Sequence, residues 1–143
     1  MRLWHYRLLP YLPAAQFRGQ LREMVGIMHD WRDKGCTNHI LINRVMEYPK
    51  ADFYSYFLDY AVEYEKRYDG NRPKCLDEFK QFCGCFTWPH HPFVGWHDKT
   101  YLRICMANLL EKHMGTGRSR ITDEEWAVLL KGYREITGED YEI

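Results

Sequence analysis

The chain has 143 residues, enough for one domain with a buried core, and 45% of them are hydrophobic. Its formal net charge is zero, which argues against a strongly basic nucleic-acid-coating protein, and no apolar run is long enough for a membrane span or a signal peptide. We therefore expect a single cytoplasmic domain over residues 1–143, with no membrane partner.

The first predicted element is a long amphipathic helix. It follows a short N-terminal segment, residues 1–13, which we call the lead. Pro10 and Pro13 predict that the lead stays extended up to the helix start. The helix is predicted from about Ala14 to Asp33, and Gly35 marks its end. Its apolar residues recur at three- and four-residue spacing and form one stripe: Phe17, Leu21, Met24, Met28 and Trp31.

Glu23 lies off that stripe, on a helix face that it shares with Gln16 and Gly19. Gly26 lies near the same face, so neither glycine fills the space around the carboxylate, and a ligand has room to approach it. Spacing alone favours a plainer interpretation. In that interpretation the glycines let another helix or the N-terminal segment pack tightly, and Glu23 is an ordinary surface carboxylate.

Charge is distributed unevenly along the chain. Residues 1–34 carry six basic and three acidic side chains, whereas residues 121–143 carry two basic and seven acidic ones. Arg18 and Arg22 lie one turn apart on a face next to that of Glu23, an arrangement that suits a polyanion held beside one carboxylate. A nucleic-acid surface is therefore expected at the N-terminal end, away from the tail.

The remaining chain shows helical patterns and no convincing strand pattern. Helices are predicted over about His39–Tyr48, Ala51–Tyr68 and Asp98–His113. The last begins at Thr122, which forms a capping box with Glu125, and Leu76–Phe82 is compatible with a further short helical stretch. We predict a compact all-α fold of about five helices, with the extended lead packed near the first.

An aromatic stripe marks the predicted helix Ala51–Tyr68. Aromatic residues at helical spacing either stack on exposed bases or form core, and core is favoured, with the tyrosine hydroxyls reaching the rim. The stripe consists of Phe53, Tyr56, Phe57, Tyr60 and Tyr64.

Two loops have compositions that suit DNA. Trp88–Phe93 sets histidines between rigid aromatic and proline residues, so it is either a wedge for a distorted duplex or, as favoured, a rigid loop packed on the core. Gly115–Arg120 offers backbone amides, hydroxyls and the guanidinium groups of Arg118 and Arg120, which bind phosphates, although a solvated turn between helices explains it equally well.

The five cysteines are odd in number and irregular in spacing, so reduced thiols are expected. One cysteine–histidine cluster has the residue types of a zinc site, but it lacks a second matching pair of cysteines. It comprises Cys75, Cys83, Cys85, His90 and His91. We predict no metal and no other cofactor.

The eight residues from Gln16 to Glu23 run Gln-Phe-Arg-Gly-Gln-Leu-Arg-Glu. This stretch resembles the opening helix of the pyrimidine-dimer DNA glycosylases of the phage endonuclease V type, in which an Arg-Glu pair lies at a similar distance from the chain start. The opening Met-Arg-Leu-Trp-His, and the Leu-Leu-Pro-Tyr-Leu-Pro that ends at Pro13, resemble a bacterial branch of that superfamily. The likeness is strong over about the first quarter of the chain.

The resemblance implies a DNA-repair glycosylase with abasic-site lyase activity on damaged pyrimidines. In the family, the N-terminal α-amine attacks C1′ of the damaged nucleotide and forms a Schiff base, and a glutamate matched by Glu23 assists ring opening and β-elimination. The well-known family members carry a small residue after the initiator methionine. The methionine is removed, and the second residue then supplies the amine. Here the bulky Arg2 follows, so the expected nucleophile is the amine of Met1 itself.

The implied partner is double-stranded DNA that carries a damaged or abasic site, bound by a monomer. The residues expected to hold the strand are Arg2, Gln16, Arg18, Arg22, Arg118 and Arg120. The bulky Arg2 after Met1 leaves open a second interpretation, a module of the same fold that binds damaged or bent DNA without cutting it. A third is a zinc-binding or protein-interaction domain, for which the neutral charge and the cysteine–histidine cluster are the evidence.

Overall fold

The computed structural model describes residues 2–36, 39–84 and 91–143. Within these ranges the fold is helical and contains no β-strand, which confirms the all-α prediction. The α-helices of the described ranges are α1 (Ala14–Lys34), α2 (Ile40–Asn43), α3 (Lys50–Arg67), α4 (Leu76–Cys83), α5 (Lys99–Met114) and α6 (Asp123–Thr137). None of the helices described is both long enough and apolar enough to cross a membrane.

Pro10 and Pro13 predicted an extended lead, and this prediction is wrong for part of it. Tyr6–Tyr11 forms a 3-10 helix that contains Pro10, because the fixed φ of proline suits a 3-10 turn as well as an extended chain. His5 caps this helix, since its Nδ1 accepts a hydrogen bond of 3.1 Å from the Arg7 N–H. The predicted helix His39–Tyr48 is also interrupted, with α2 followed by a 3-10 turn at Arg44–Glu47.

The helices α1, α3 and α5 begin and end within one residue of the bounds that the sequence indicated. The α1 helix ends at Gly35, whose φ of 74° lies in the left-handed region and whose N–H bonds the carbonyls of Asp30 and Trp31. The capping box of Thr122 and Glu125 starts α6 as predicted. These caps act within one turn of chain, so the sequence alone was enough to place them.

The aromatic stripe of α3 forms the core, as favoured from the sequence. Phe53, Tyr56, Phe57 and Tyr60 are fully buried. The hydroxyls of Tyr56 and Tyr60 do not reach the rim, because α1 and the lead cover them, whereas Tyr64 is only partly buried. Tyr60 donates to the carbonyl of Phe17 at 2.7 Å, and Tyr56 donates to the carbonyl of Trp4 at 2.6 Å. Each buried hydroxyl therefore fixes one segment of the N-terminal region to α3.

Arg67, near the end of α3, attaches the lead to the helical core. Its guanidinium lies 4.1 Å from the centroid of the Phe17 ring and donates to the carbonyl of Leu12 at 2.8 Å. Glu63, one turn earlier and also shielded from solvent, pairs with it at 2.8 Å. Stacking, hydrogen bonding and ion pairing thus converge on one largely covered cation.

The α6 helix packs closely on the lead at Gly132. A methyl group added there would come within 2.4 Å of the Tyr11 ring, so only glycine allows this approach. The Tyr11 hydroxyl donates to Glu135, one turn further along α6. The first and last parts of the described chain are therefore in direct contact.

Candidate active site

Glu23 lies on α1 with its carboxylate half-buried. Its Oε2 accepts two hydrogen bonds of 3.3 Å, one from the backbone N–H of Arg2 and one from the side-chain amide of Gln20. Burial raises the pKa of Glu23 above its ordinary value, and the two hydrogen bonds offset only part of that rise. The interpretation of Glu23 as an ordinary surface carboxylate is therefore wrong.

The glycines on either side of Glu23 leave open space on this face of α1. A methyl group added at Gly19 or Gly26 would meet no atom within 4 Å beyond the nearby backbone of the helix itself. Neither a helix nor the lead packs against them in the part of the chain that the structure describes, so the tight-packing interpretation is wrong as well. The face remains open to a bulky ligand.

The lead is held beside Glu23 by the side chain of Gln20, which is 1% exposed. Its Oε1 accepts from the Trp4 N–H at 2.7 Å and from the Tyr56 hydroxyl at 3.1 Å. Its Nε2 donates to the carbonyl of Arg2 at 3.2 Å as well as to Glu23. Residues 2–4 therefore have a fixed position relative to the carboxylate.

Met1 lies outside the described residues. The peptide nitrogen of Arg2, to which residue 1 is joined, is the atom that lies 3.3 Å from Glu23 Oε2. The Arg2 guanidinium lies 5.9 Å from the centroid of the Trp4 ring. The structure thus brings together Arg2 and Glu23, two of the residues that the sequence selected.

A cavity of about 680 Å³ opens beside Arg2. Its lining includes Arg44, Trp96 and Tyr101, none of which the sequence analysis selected. The Arg44 guanidinium lies 5.4 Å from the centroid of the Trp96 ring, and Tyr101 donates to the carbonyl of Leu3. Two arginines, two aromatic residues and the acidic Glu47 therefore line a space that touches the same residue as the Glu23 carboxylate.

The predicted DNA contacts on α1 fall into two groups. Arg18 and Arg22 are exposed and have no ion-pair partner among the residues that the structure describes. Gln16 is only 7% exposed, and its Nε2 donates to the carbonyl of Ser119 at 3.1 Å. The prediction that Gln16 itself contacts DNA does not fit this burial; its side chain instead holds a loop.

That loop is Gly115–Arg120, which the sequence analysis proposed as a phosphate contact. Arg118 is exposed, and Arg120 lies 3.9 Å from Asp123 in a long ion pair. Through Gln16 the loop is joined to the first turns of α1. Two regions of positive charge that are distant in sequence are thereby connected.

The cysteine–histidine cluster lies partly outside the described residues, which lack Cys85 and His90. The imidazole of His91 is within hydrogen-bonding distance of the Tyr6 hydroxyl, 3.1 Å from its Nδ1. The described ranges contain no group of three His, Cys, Asp or Glu side chains arranged to hold a metal ion. Of the proposed wedge Trp88–Phe93, the described end is buried at Pro92 and Phe93, which fits the packed-loop interpretation.

Comparison with protein families identifies a matching family model. The family model described as pyrimidine dimer DNA glycosylase matches residues 1–76, more than half of the chain, and this segment includes Arg2, Gln20 and Glu23. No curated protein and no solved structure matches the sequence. The chain belongs to the pyrimidine dimer DNA glycosylase family.

Proposed function

We propose that the protein is a DNA glycosylase with abasic-site lyase activity, in which the α-amine of Met1 is the nucleophile and Glu23 the catalytic carboxylate. The observation that carries the proposal is the 3.3 Å hydrogen bond from the Arg2 N–H to Glu23. It fixes the attachment point of residue 1 beside a carboxyl group whose pKa is raised by burial. Nucleophile and proton carrier then lie within reach of one sugar.

The proposed chemistry needs no metal. The unprotonated amine forms a bond to C1′ as the glycosidic bond breaks and the base leaves. The bond from C1′ to the ring oxygen then opens, the oxygen takes a proton, and a protonated Schiff base results. Removal of a proton from C2′ breaks the bond to the 3′ oxygen and releases the downstream strand with its 5′-phosphate. Water finally hydrolyses the imine and frees the amine.

Glu23 suits both proton transfers. A carboxyl group with a raised pKa keeps more of its protonated form near neutral pH than an exposed one, so it can donate to the ring oxygen. Once ionised it can accept the proton from C2′. A single side chain therefore serves as acid and then as base.

Double-stranded DNA with a damaged or abasic site is the proposed partner of a monomeric, single-domain protein. The exposed Arg18 and Arg22 are proposed to bind backbone phosphates, together with Arg118 and Arg120. Arg2 and the aromatic cavity beside it offer stacking and charge to an unstacked nucleotide. Gln16 supports this surface through the Ser119 loop.

The test is borohydride trapping of the untagged protein on a duplex with one abasic site, with intact-mass and peptide analysis to identify the mature first residue and the adduct. We expect an adduct on the α-amine of Met1. The Glu23→Gln variant should lose about 100-fold or more in strand cleavage, because general acid–base catalysis contributes about that much. Glu111→Gln, the same change at an exposed site on α5, should cleave normally.

A second candidate function is a damaged-DNA-binding module that does not cut. The bulky Arg2 after Met1 favours it, since this sequence lacks the small second residue that the resemblance leads one to expect. Specific binding to the abasic duplex with neither adduct nor cleavage would establish that function. It would refute the lyase mechanism.

A further inference from the structure

Gln20 makes a complete set of hydrogen bonds with three segments of the chain. Its carbonyl oxygen accepts from Trp4 in the lead and from Tyr56 on α3. Its amide nitrogen donates to the Arg2 carbonyl and to Glu23. A primary amide has two donor hydrogens and two main acceptor sites. Trp4, Arg2 and Glu23 occupy three of them, and the Tyr56 hydroxyl lies at the fourth.

The amide can have only one orientation here. The Trp4 N–H near Oε1 can only donate, and the Arg2 carbonyl near Nε2 can only accept, so rotating the amide by half a turn would place donor against donor and acceptor against acceptor at these contacts. The buried Tyr56 hydroxyl shares its single hydrogen between the Trp4 carbonyl, at 2.6 Å, and Oε1 of Gln20, at 3.1 Å. Gln20 is thus locked, and it locks the groups that it touches.

The two carboxylate oxygens of Glu23 have different surroundings. Arg2 and Gln20 both donate to Oε2, whereas Oε1 has no hydrogen-bond partner among the described residues. Within the described part of the chain, the carboxylate is therefore held through Oε2 alone. The same amide holds the Arg2 peptide in place.

We propose that Gln20 is a positioning residue for the reaction. It sets the separation between the Arg2 peptide and Glu23, and it presents Oε1 of Glu23 to the sugar. This inference rests on the proposed function. Gln20 does not touch the reacting atoms itself. It acts by fixing the geometry of two groups that must meet the same sugar carbon and its neighbours.

Two variants separate this role from simple packing. Gln20→Met keeps the size of the side chain and removes all four hydrogen bonds. Gln20→Glu keeps an oxygen for Trp4 and Tyr56 but replaces the donor that faces Arg2 and Glu23. Gln81→Met, at an exposed position of α4, is the matched control.

Three measurements are made on each folded variant: the single-turnover cleavage rate of an abasic duplex against pH, the affinity for that duplex, and the ionisation of Glu23 by carboxyl NMR. Both Gln20 variants should cleave about 10- to 100-fold more slowly, since misplacement by about 1 Å costs that much. Their affinity should stay within about threefold of wild type, because the exposed arginines remain. Glu23 should titrate at higher pH, because its ionised form has lost a hydrogen bond.

The outcomes are distinct. A slower rate with unchanged Glu23 ionisation and an unchanged pH profile would mean that Gln20 is merely structural, and would overturn the proposal. If Gln20→Met does not fold, Gln20→Glu decides by the same readouts. If wild-type protein neither cleaves nor forms an adduct, the lyase function fails. The NMR titration then still shows whether Gln20 controls Glu23, and an unchanged titration refutes that too.

Discussion

The side-chain amide of Gln16 donates a hydrogen bond to the carbonyl of Ser119, 3.1 Å away in space and 103 residues away in the chain. Gln16 is buried whereas Ser119 is exposed, so this bond is partly shielded from competing water. It fixes the loop that carries Arg118 and Arg120 beside the start of α1, two residues before Arg18.

Replacing Gln16 by leucine should weaken DNA binding and spare the chemistry. A shielded hydrogen bond contributes about 1 kcal/mol, so we expect the dissociation constant for an abasic duplex to rise by about three- to tenfold. The cleavage rate at saturating DNA should not change. Fluorescence anisotropy with a labelled duplex measures the first quantity, and Gln81→Leu controls for loss of a glutamine. A variant that binds normally would show that the loop does not need this bond.

The glycines next to Glu23 should reveal whether DNA approaches α1 at this face. Gly19→Ala and Gly26→Ala meet no neighbouring atoms, so each should stabilise the protein by about 0.5–1 kcal/mol, the helical advantage of alanine. Both changes should nevertheless weaken binding and cleavage, because a methyl group would occupy space reserved for DNA. Urea denaturation and duplex titration measure the two effects. Variants that are more stable and fully active would place the DNA elsewhere.

Gly132→Ala is the matched contrast for those substitutions. The added methyl group would meet the Tyr11 ring, so this variant should lose about 1–3 kcal/mol of stability by overpacking. Opposite signs of the stability change would distinguish Gly132, which is needed for internal packing, from Gly19 and Gly26, which leave room for DNA.

The sequence predicted what depends on local chemistry. The end of α1 at Gly35 and the start of α6 at Thr122 follow from caps that act within one turn. The burial of the α3 stripe follows from its spacing. The 3-10 helix in the lead did not follow, because the φ of proline is compatible with both conformations and the packing of the lead decides between them.

The site was only partly predictable for a related reason. Glu23 was selected because it lies off the apolar stripe near two glycines and because its stretch resembles a known family. The contacts of Gln20, in contrast, depend on partners 16 and 36 residues away. A buried glutamine on a core-facing side of α1 signals that partners exist without naming them. Arg44 and Trp96 come from segments that meet only in the folded chain, and no local pattern joins them.

Stability should fall in mild acid because of His5. Burial lowers the pKa of His5 from 6.5 to about 4; the charge of Arg7 acts in the same direction, and the hydrogen bond with the His97 carbonyl opposes it. Below pH 6.5 the unfolded chain binds a proton that the folded chain excludes. His5 therefore costs no stability above pH 6.5. As the pH falls, the free energy of unfolding decreases, and the loss reaches roughly 3 kcal/mol by about pH 4.

His97 should add to this acid sensitivity. Its Nδ1 accepts from the Tyr6 N–H at 3.2 Å, and burial lowers its pKa well below the ordinary value. Urea denaturation between pH 7 and pH 4 should show a smaller loss of stability in His5→Asn, whose side-chain oxygen can still accept from Arg7. Gln81→Asn, at an exposed position whose side chain does not titrate, should retain the wild-type slope. An unchanged slope in His5→Asn would rule out His5 as the cause.

Arg18 and Arg22 should control how DNA binding depends on salt. Both are exposed, and neither is paired with a carboxylate in the described part of the chain, so each is free to neutralise a phosphate. Each phosphate contact contributes about 0.9 to the slope of log affinity against log salt, so Arg18→Gln and Arg22→Gln should each reduce that slope by about one. Arg72→Gln removes an exposed arginine that is already paired with Glu65 at 3.1 Å, and it should leave the slope unchanged. A wild-type slope in all three variants would mean that the α1 arginines do not contact the DNA backbone. The binding surface would then have to be sought around Arg2, Arg44 and the Ser119 loop.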